Sequence, residues 1–165
     1  MSHALPFSVL IAAAGSGSRF GGDIPKQYQA VGGKPLLRHT VEAFLGCAGL
    51  KSLRVIIDPD HIKLYQSAVS GMTLPDPAFG SKTRKESIYR GLCGFSHLGQ
   101  NDAILIHDGA RPLIDPQSIH RLIQTLQNEQ AATLAVPVAD TLIKEDGTYL
   151  DRSGVWAIQT PQAFH

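Results

Sequence analysis

Four short, almost unbroken apolar runs, at 8–13, 52–57, 103–107 and 133–138, are each bounded by turn-forming residues. A strand that alternates apolar and polar residues needs cover on one face only. A strand that is apolar throughout needs cover on both, which is the situation of central strands in a parallel sheet. The stretches between the runs have helical character. Residues 35–47 place Leu36, Leu37, Val41, Phe44 and Leu45 at helical spacing. Asp58-Pro59 and Asp115-Pro116 each set an N-cap residue before a proline at the first helical position. Thr83-x-x-Glu86 is a capping box heading a helix that carries Ile88 and Leu92. The order β-α-β-α-(β)-α-β-α-β predicts an α/β chain with a doubly wound, mostly parallel open sheet. Ligands of such sheets sit beyond the carboxyl ends of the strands. The turns after 8–13 and 103–107 are therefore expected to face one pocket.

The turn after the first run carries the most chemistry. Residues 11–28 read Ile-Ala-Ala-Ala-Gly-Ser-Gly-Ser-Arg-Phe-Gly-Gly-Asp-Ile-Pro-Lys-Gln-Tyr. Glycines let backbone N–H groups approach an anion with no Cβ in the way, and Arg19 and Lys26 add full positive charge beside them. This composition suits a nucleotide triphosphate. Two common glycine motifs do not fit. The dinucleotide fingerprint begins at Gly15 and Gly17 but has Phe20 at its sixth position. Its acidic residue belongs about 20 residues on, whereas the next strand ends at Asp58. No Gly-Lys-Ser/Thr stands at P-loop spacing. On chemistry alone, a simple strand-to-helix turn with solvated cations, and alanines used for strand packing, is the competing reading.

Asp108 follows the third run, at a strand end where a carboxylate suits Mg²⁺ or a substrate hydroxyl. Arg111, just before Pro112, offers a fork of donors to a phosphate; a plain Asp–Arg surface pair is the alternative. His107 reads as structural. The histidines lack zinc-ligand spacing, and no Ser-His-Asp or Cys-His arrangement suggests covalent catalysis. With 165 residues the chain is one domain by length. A formal net charge of +1 gives no reason to expect nucleic acid or a membrane surface as partner. Cys47 and Cys93, the only cysteines, read as two buried reduced thiols. No membrane-spanning run or signal peptide is evident, which points to the cytoplasm.

The string Ala13-Ala14-Gly15-x-Gly17-x-Arg19 followed by Pro25-Lys26-Gln27-Tyr28 resembles the cytidylyltransferases, most closely the 2-C-methyl-D-erythritol 4-phosphate cytidylyltransferase family of the non-mevalonate isoprenoid pathway. The likeness continues through Thr83-Arg84-Lys85-Glu86-Ser87, His107-Asp108-Gly109-Ala110-Arg111-Pro112, Asp140-Thr141 and Gln159-Thr160-Pro161-Gln162, in order along the chain. It implies a Rossmann-like nucleotidyltransferase that transfers CMP from CTP, with Mg²⁺ or another divalent cation offsetting triphosphate charge. By that resemblance Arg19 and Lys26 are catalytic. Ala13, Ala14, Gly15, Gly17, Gly80, Ser81 and Ser87 bind the nucleotide, and Asp108, Arg111, Thr141, Arg152 and Thr160 bind a small polyol phosphate. Asp108 doubles as the metal candidate. Ser81 stands where many relatives have an aspartate, and Ser87 also reads as a surface helix serine.

Residues 139–158 break the strand–helix alternation. Residues 139–143 and 148–150 around an Asp-Gly turn resemble a β-hairpin. The hairpin is either a local edge feature or, as the resemblance implies, an arm embracing a second subunit, with Arg152 reaching the partner's site. Thr160-Pro161 reads as a helix start with only four residues after the proline, which suggests a truncated domain over 1–165. Some relatives are fused to a cyclodiphosphate synthase. Two alternatives stand beside the main reading: a ribitol-5-phosphate cytidylyltransferase, which shares the P-K-Q and HD-x-x-R-P motifs, and a truncated, non-catalytic CTP-binding module. Gly109-Ala110 leans toward the isoprenoid enzyme.

Overall fold

Val9, Leu10 and Ile11 have no solvent exposure, and the strand that carries them lies in the middle of the main sheet. In the computed structural model, which describes residues 5–15, 24–96, 98–99 and 102–165, that strand is β1 (Phe7–Ala13). It is followed by hairpin strands β2 (Ala30–Val31) and β3 (Lys34–Pro35), α1 (Leu36–Leu45), β4 (Leu50–Ile57), α2 (Ile62–Ala68), β5 (Ala78–Phe79) and α3 (Arg84–Cys93). Then come β6 (Ala103–Asp108), α4 (Pro116–Thr125), β7 (Ala131–Pro137), a second hairpin of β8 (Leu142–Ile143) and β9 (Tyr149–Leu150), and β10 (Trp156–Phe164).

The main sheet has the order β5-β4-β1-β6-β10-β7. β1 pairs in parallel with β4 and β6, and β4 in parallel with β5. From β1 the chain moves outward on one side to β4 and β5, then returns to place β6 on the other side. The switch point therefore falls between β1 and β6, where an open α/β sheet leaves a crevice. The expected doubly wound, mostly parallel sheet is present, and its core is divided as period-two strands require. Val9 and Ile11 face one cluster with Leu37, Val41 and Phe44 of α1, Tyr65 of α2 and Ile119 and Leu122 of α4. Leu10 and Ile56 face the other, with Ile88 and Leu92 of α3.

The predicted N-caps form. Asp115 accepts from the backbone N–H of Ser118 at 2.8 Å, Asp58 from that of Asp60 at 3.0 Å, and Thr83 from that of Glu86 at 3.2 Å. The capping box at Thr83 is only half used, because the Glu86 carboxylate accepts from the Ser81 hydroxyl at 2.9 Å.

Three expectations need correction. The run at 133–138 is not a central parallel strand: β7 lies at the sheet edge, pairs antiparallel with β10, and leaves Val136 exposed. Thr160-Pro161 does not begin a helix but lies inside β10, with a cis peptide bond. Between Ile158 and Gln162 the ladder is interrupted, so that residues 159–161 oppose Leu134 alone. A proline is tolerated in a strand where the ladder needs no N–H. The thiols are free but not both buried, since Cys93 is exposed and Cys47 only half-buried. Within 139–158 the hairpin is narrower than expected: Leu142–Ile143 pair with Tyr149–Leu150 as a two-stranded sheet of their own, with Gly147 at φ +84° in the turn, while Trp156–Ile158 already belong to β10 of the main sheet. No helix among the described residues is long and apolar enough to cross a membrane.

His107, on β6, is 1 % exposed, its ring edge-on to Phe44 with centroids 5.0 Å apart. Its Nε2 is 2.9 Å from the Arg111 carbonyl, while Nδ1 meets no hydrogen-bond partner within bonding distance among the described residues. Burial holds the imidazole below its ordinary pKa; the Arg111 carbonyl and Asp108 act in the opposite sense. The folded state therefore binds the proton less readily than the unfolded chain, which titrates near about 6.5. Stability from this residue is present above that value and is lost as pH falls from it toward the folded pKa. Urea midpoints should drop more steeply on acidification for the wild-type protein than for His107→Gln; parallel curves would refute this. Leu105, fully buried on the same strand, should cost about 2–5 kcal/mol on replacement by alanine, read from chemical unfolding.

Candidate active site

A cleft of about 680 Å³ opens at the carboxyl ends of the parallel strands. Ala12–Gly15 line it from β1, Asp108–Arg111 from β6, and Ser81–Arg84 with Ser87 from the head of α3; Lys26 and Gln27 complete one wall. The two turns that the sequence places together thus share one pocket. Lys26, Lys82, Arg84 and Arg111 bring positive charge to the lining, against the carboxylates of Asp58 and Asp108. Such a surface favours an anion with several negative charges.

Each loop of the cleft is pinned by a side chain beneath it. Gln27, 5 % exposed, donates through Nε2 to the carbonyls of Ala13 at 2.8 Å and Gly15 at 2.9 Å. It stands on a short 3-10 turn, Lys26–Tyr28, anchored by buried Tyr28. The Tyr28 ring packs edge-on against His61, and burial, followed by the charges of Tyr65 and Asp58, raises its phenol well above the ordinary value.

Ser87 is buried rather than on the helix surface. Its hydroxyl accepts from the Ser81 N–H at 2.8 Å and donates to the Thr83 carbonyl at 2.8 Å, which closes the loop before α3 on itself. Gly80 donates to the Ile57 carbonyl at 2.8 Å, and a Cβ there would stand 2.5 Å from the Ala14 Cβ. Only glycine lets this loop come so close to the wall formed by Ala14. On the other side, Gly109 donates to the Ala12 carbonyl at 2.8 Å and accepts at 3.0 Å from the fully buried Thr40 hydroxyl of α1.

Asp108 is the electrostatic centre. Arg84 Nη2 lies 2.8 Å from its Oδ1, and Arg111 Nε 3.1 Å from its Oδ2. Arg111 also donates to the Gln159 side chain, and the Asp108 N–H donates to the Thr160 hydroxyl at 3.3 Å. The Asp108–Arg111 contact read as an alternative from sequence therefore exists, but on the cleft wall and shared with Arg84.

Of the predicted residues, Lys26, Ala13, Ala14, Gly15, Ser81, Ser87, Asp108 and Arg111 line the cleft, with Gly80 and Thr160 immediately behind them. Thr141 and Arg152 are exposed and do not line it within one chain. The Arg152 guanidinium donates instead to the Ala139 carbonyl. Arg19 and Gly17 lie outside the described residues. Sequence reasoning missed the support given by Gln27 and Thr40 and the crossing of Arg84 to Asp108. Thr40 carried a signal, being polar on the apolar face of α1; Gln27 and Arg84 were visible only as letters within motifs.

Comparison with known proteins gives the architecture a family. The family model for 2-C-methyl-D-erythritol 4-phosphate cytidylyltransferase (IspD) matches residues 7–165. A bifunctional enzyme IspD/IspF from Paramagnetospirillum magneticum is 44% identical over 160 residues, covering 94% of this chain and 41% of its own length. A 2-C-methyl-D-erythritol 4-phosphate cytidylyltransferase from Cupriavidus pinatubonensis is 36% identical over 174 residues, covering 94% of this chain and 69% of its own. The crystal structure of 4-diphosphocytidyl-2C-methyl-D-erythritol synthase from Anaerococcus prevotii superposes with a TM-score of 0.79 at 27% identity, covering 98% of this chain and 72% of that one. The chain thus spans about two fifths of the length of the bifunctional relatives it matches. With its sequence matched almost end to end and its fold shared with solved members, the chain belongs to the 2-C-methyl-D-erythritol 4-phosphate cytidylyltransferase family.

Proposed function

We propose that this chain transfers CMP from CTP to 2-C-methyl-D-erythritol 4-phosphate and releases pyrophosphate. The observation that carries the reading is one cleft, at the switch point of the sheet, in which the Ala13–Gly15 segment and Lys26 face Asp108 and Arg111. The names of the relatives support methylerythritol phosphate over ribitol phosphate as acceptor. In this reading an acceptor phosphate oxygen attacks the α-phosphorus of CTP. A new P–O–P linkage forms, the bond to the β-phosphate bridging oxygen breaks, and pyrophosphate carries away the electron pair. The attacking phosphate is already ionised at neutral pH, so no general base is needed. The protein's task is alignment and positive charge where negative charge accumulates.

Lys26, joined by Arg19, acts on the triphosphate. Ala13, Ala14, Gly15, Gly17, Gly80, Ser81 and Ser87 hold the nucleotide. Asp108, Arg111, Thr141 and Thr160 hold the acceptor, with Arg152 supplied by a second subunit through the 139–158 arm. Exposed Ile143, Tyr149, Leu150 and Trp156 on that segment support the arm's role in a homodimer. We place the enzyme in the cytoplasm, with no nucleic-acid or membrane partner. The cleft presents Asp58 and Asp108 as its described carboxylates, the latter with both oxygens ion-paired. Mg²⁺ is often held by one or two carboxylates together with substrate phosphates. The residues therefore fit a metal carried in on the triphosphate, with Asp108 as its protein ligand once a guanidinium turns away. Such an ion would neutralise phosphate charge.

Pyrophosphate release from CTP, Mg²⁺ and the acceptor tests the reading. Lys26→Ala should lower turnover about 10²–10³-fold, as removal of one transition-state donor does. Acceptor-independent release, or an unaffected variant, would count against it. The composite dimer has its own test. Inactive Lys26→Ala and Arg152→Ala chains, mixed and allowed to exchange, should regain up to about a quarter of wild-type activity, because one site in each mixed dimer is intact. No recovery despite demonstrated exchange would place Arg152 in its own chain's site.

A further inference from the structure

We infer that Gln27 is a positioning residue for the nucleotide, setting the direction of the backbone that meets the phosphates; this rests on the function proposed above. Its carboxamide is buried, and both N–H groups of Nε2 are directed at carbonyls two residues apart, Ala13 and Gly15. A peptide group is planar and trans, so fixing a carbonyl fixes the N–H on the other side of the same plane. The contact to Ala13 therefore sets the direction of the Ala14 N–H, and the contact to Gly15 holds the carbonyl of that residue. Small residues here offer the anion nothing but backbone, and a segment of Ala-Ala-Gly has little side-chain packing to hold its peptide planes.

Gln27 couples that segment to catalysis through its place in the chain. Lys26 is its immediate neighbour on the same 3-10 turn, and the turn is closed by Tyr28 N–H donating to the Pro25 carbonyl at 2.9 Å. Tyr28 fastens the turn to the core. One side chain thus fixes the spacing between the backbone donors of the glycine segment and the Lys26 main chain. Neither lysine charge nor glycine freedom provides that spacing. A shorter side chain would not reach both carbonyls, and an apolar one would leave the buried Ala13 carbonyl and the partly buried Gly15 carbonyl without this donor.

The test measures CTP affinity, in the presence of Mg²⁺, and steady-state kinetics for the wild-type chain, Gln27→Leu and Gln27→Glu, with melting curves to confirm folding. Gln27→Leu should raise the KM and Kd for CTP at least about tenfold and leave the KM for the acceptor within about twofold. Gln27→Glu cannot donate while ionised and recovers one donor when protonated. Burial and the two facing carbonyls hold that carboxyl above its ordinary value of about 4.3, so its CTP affinity should improve, relative to wild type, as pH falls from 8 toward 5. A merely structural role would lower the folded fraction and the apparent kcat, with both KM values and the pH profile unchanged; that result overturns the inference. Should Gln27→Leu fail to fold, the Gln27→Glu pH profile decides. Wild-type protein that binds no CTP would instead overturn the function proposed above and this inference with it, an outcome distinguishable from tight wild-type binding with unaffected variants.

Discussion

The parallel ladder of β1 with β4 and β6 is the constraint on which the rest depends. A strand whose residues 9–11 are wholly buried must find hydrogen-bond partners on both edges and apolar cover on both faces. β1 finds the first in β4 and β6 and the second in α1 and α4 on one side and α3 on the other. Parallel neighbours also end together. Ala13, Ile57 and Asp108 finish their strands at one rim, so the loops that follow are gathered there whatever their own composition.

Gathering loops does not make a site; they must also be held. Each cleft loop here is stapled to the scaffold by a polar side chain largely withdrawn from solvent: Gln27 under the glycine segment, Ser87 under the loop before α3, and Thr40 and His107 under the turn after β6. Backbone carbonyls near the core are costly unless paired, and pairing them sets the geometry of the cleft wall. Catalysis that relies on preorganised charge needs that rigidity more than it needs reactive side chains. The Arg84–Asp108–Arg111 arrangement has the same character. It keeps two guanidinium groups at the cleft while each balances part of one carboxylate.

The motifs that line the cleft were legible because they are local. Gly15, Lys26, Asp108 and Arg111 sit in short strings whose residue types state their chemistry, and the apolar runs place those strings at strand ends. The N-caps at Asp58, Thr83 and Asp115 were legible for the same reason, since a cap depends on neighbours three residues away or fewer. Thr160-Pro161 was misread because a proline after a threonine satisfies two local rules at once. It opens a helix well, and it also fits a strand where the ladder breaks. Only the pairing of β10 between β6 and β7 selects the second. The same pairing moved 133–138 from the centre to the edge, because β10 takes the position beside β6 that a continued parallel winding would have given it.

By itself, then, the sequence determined the strand-and-helix rhythm, the class of sheet and the identity of the chemical motifs, all of which follow from periodicity and residue type over a few positions. Tertiary structure alone decided that Gln27 reaches back across 14 positions to the Ala13 carbonyl. It alone decided that Thr40 reaches 69 positions ahead to Gly109, and that Arg84 crosses to Asp108. Those contacts join residues whose spacing in the chain carries no signal. Their partners are backbone carbonyls or a shared carboxylate, and what brings them within 3 Å is the common rim of parallel strands.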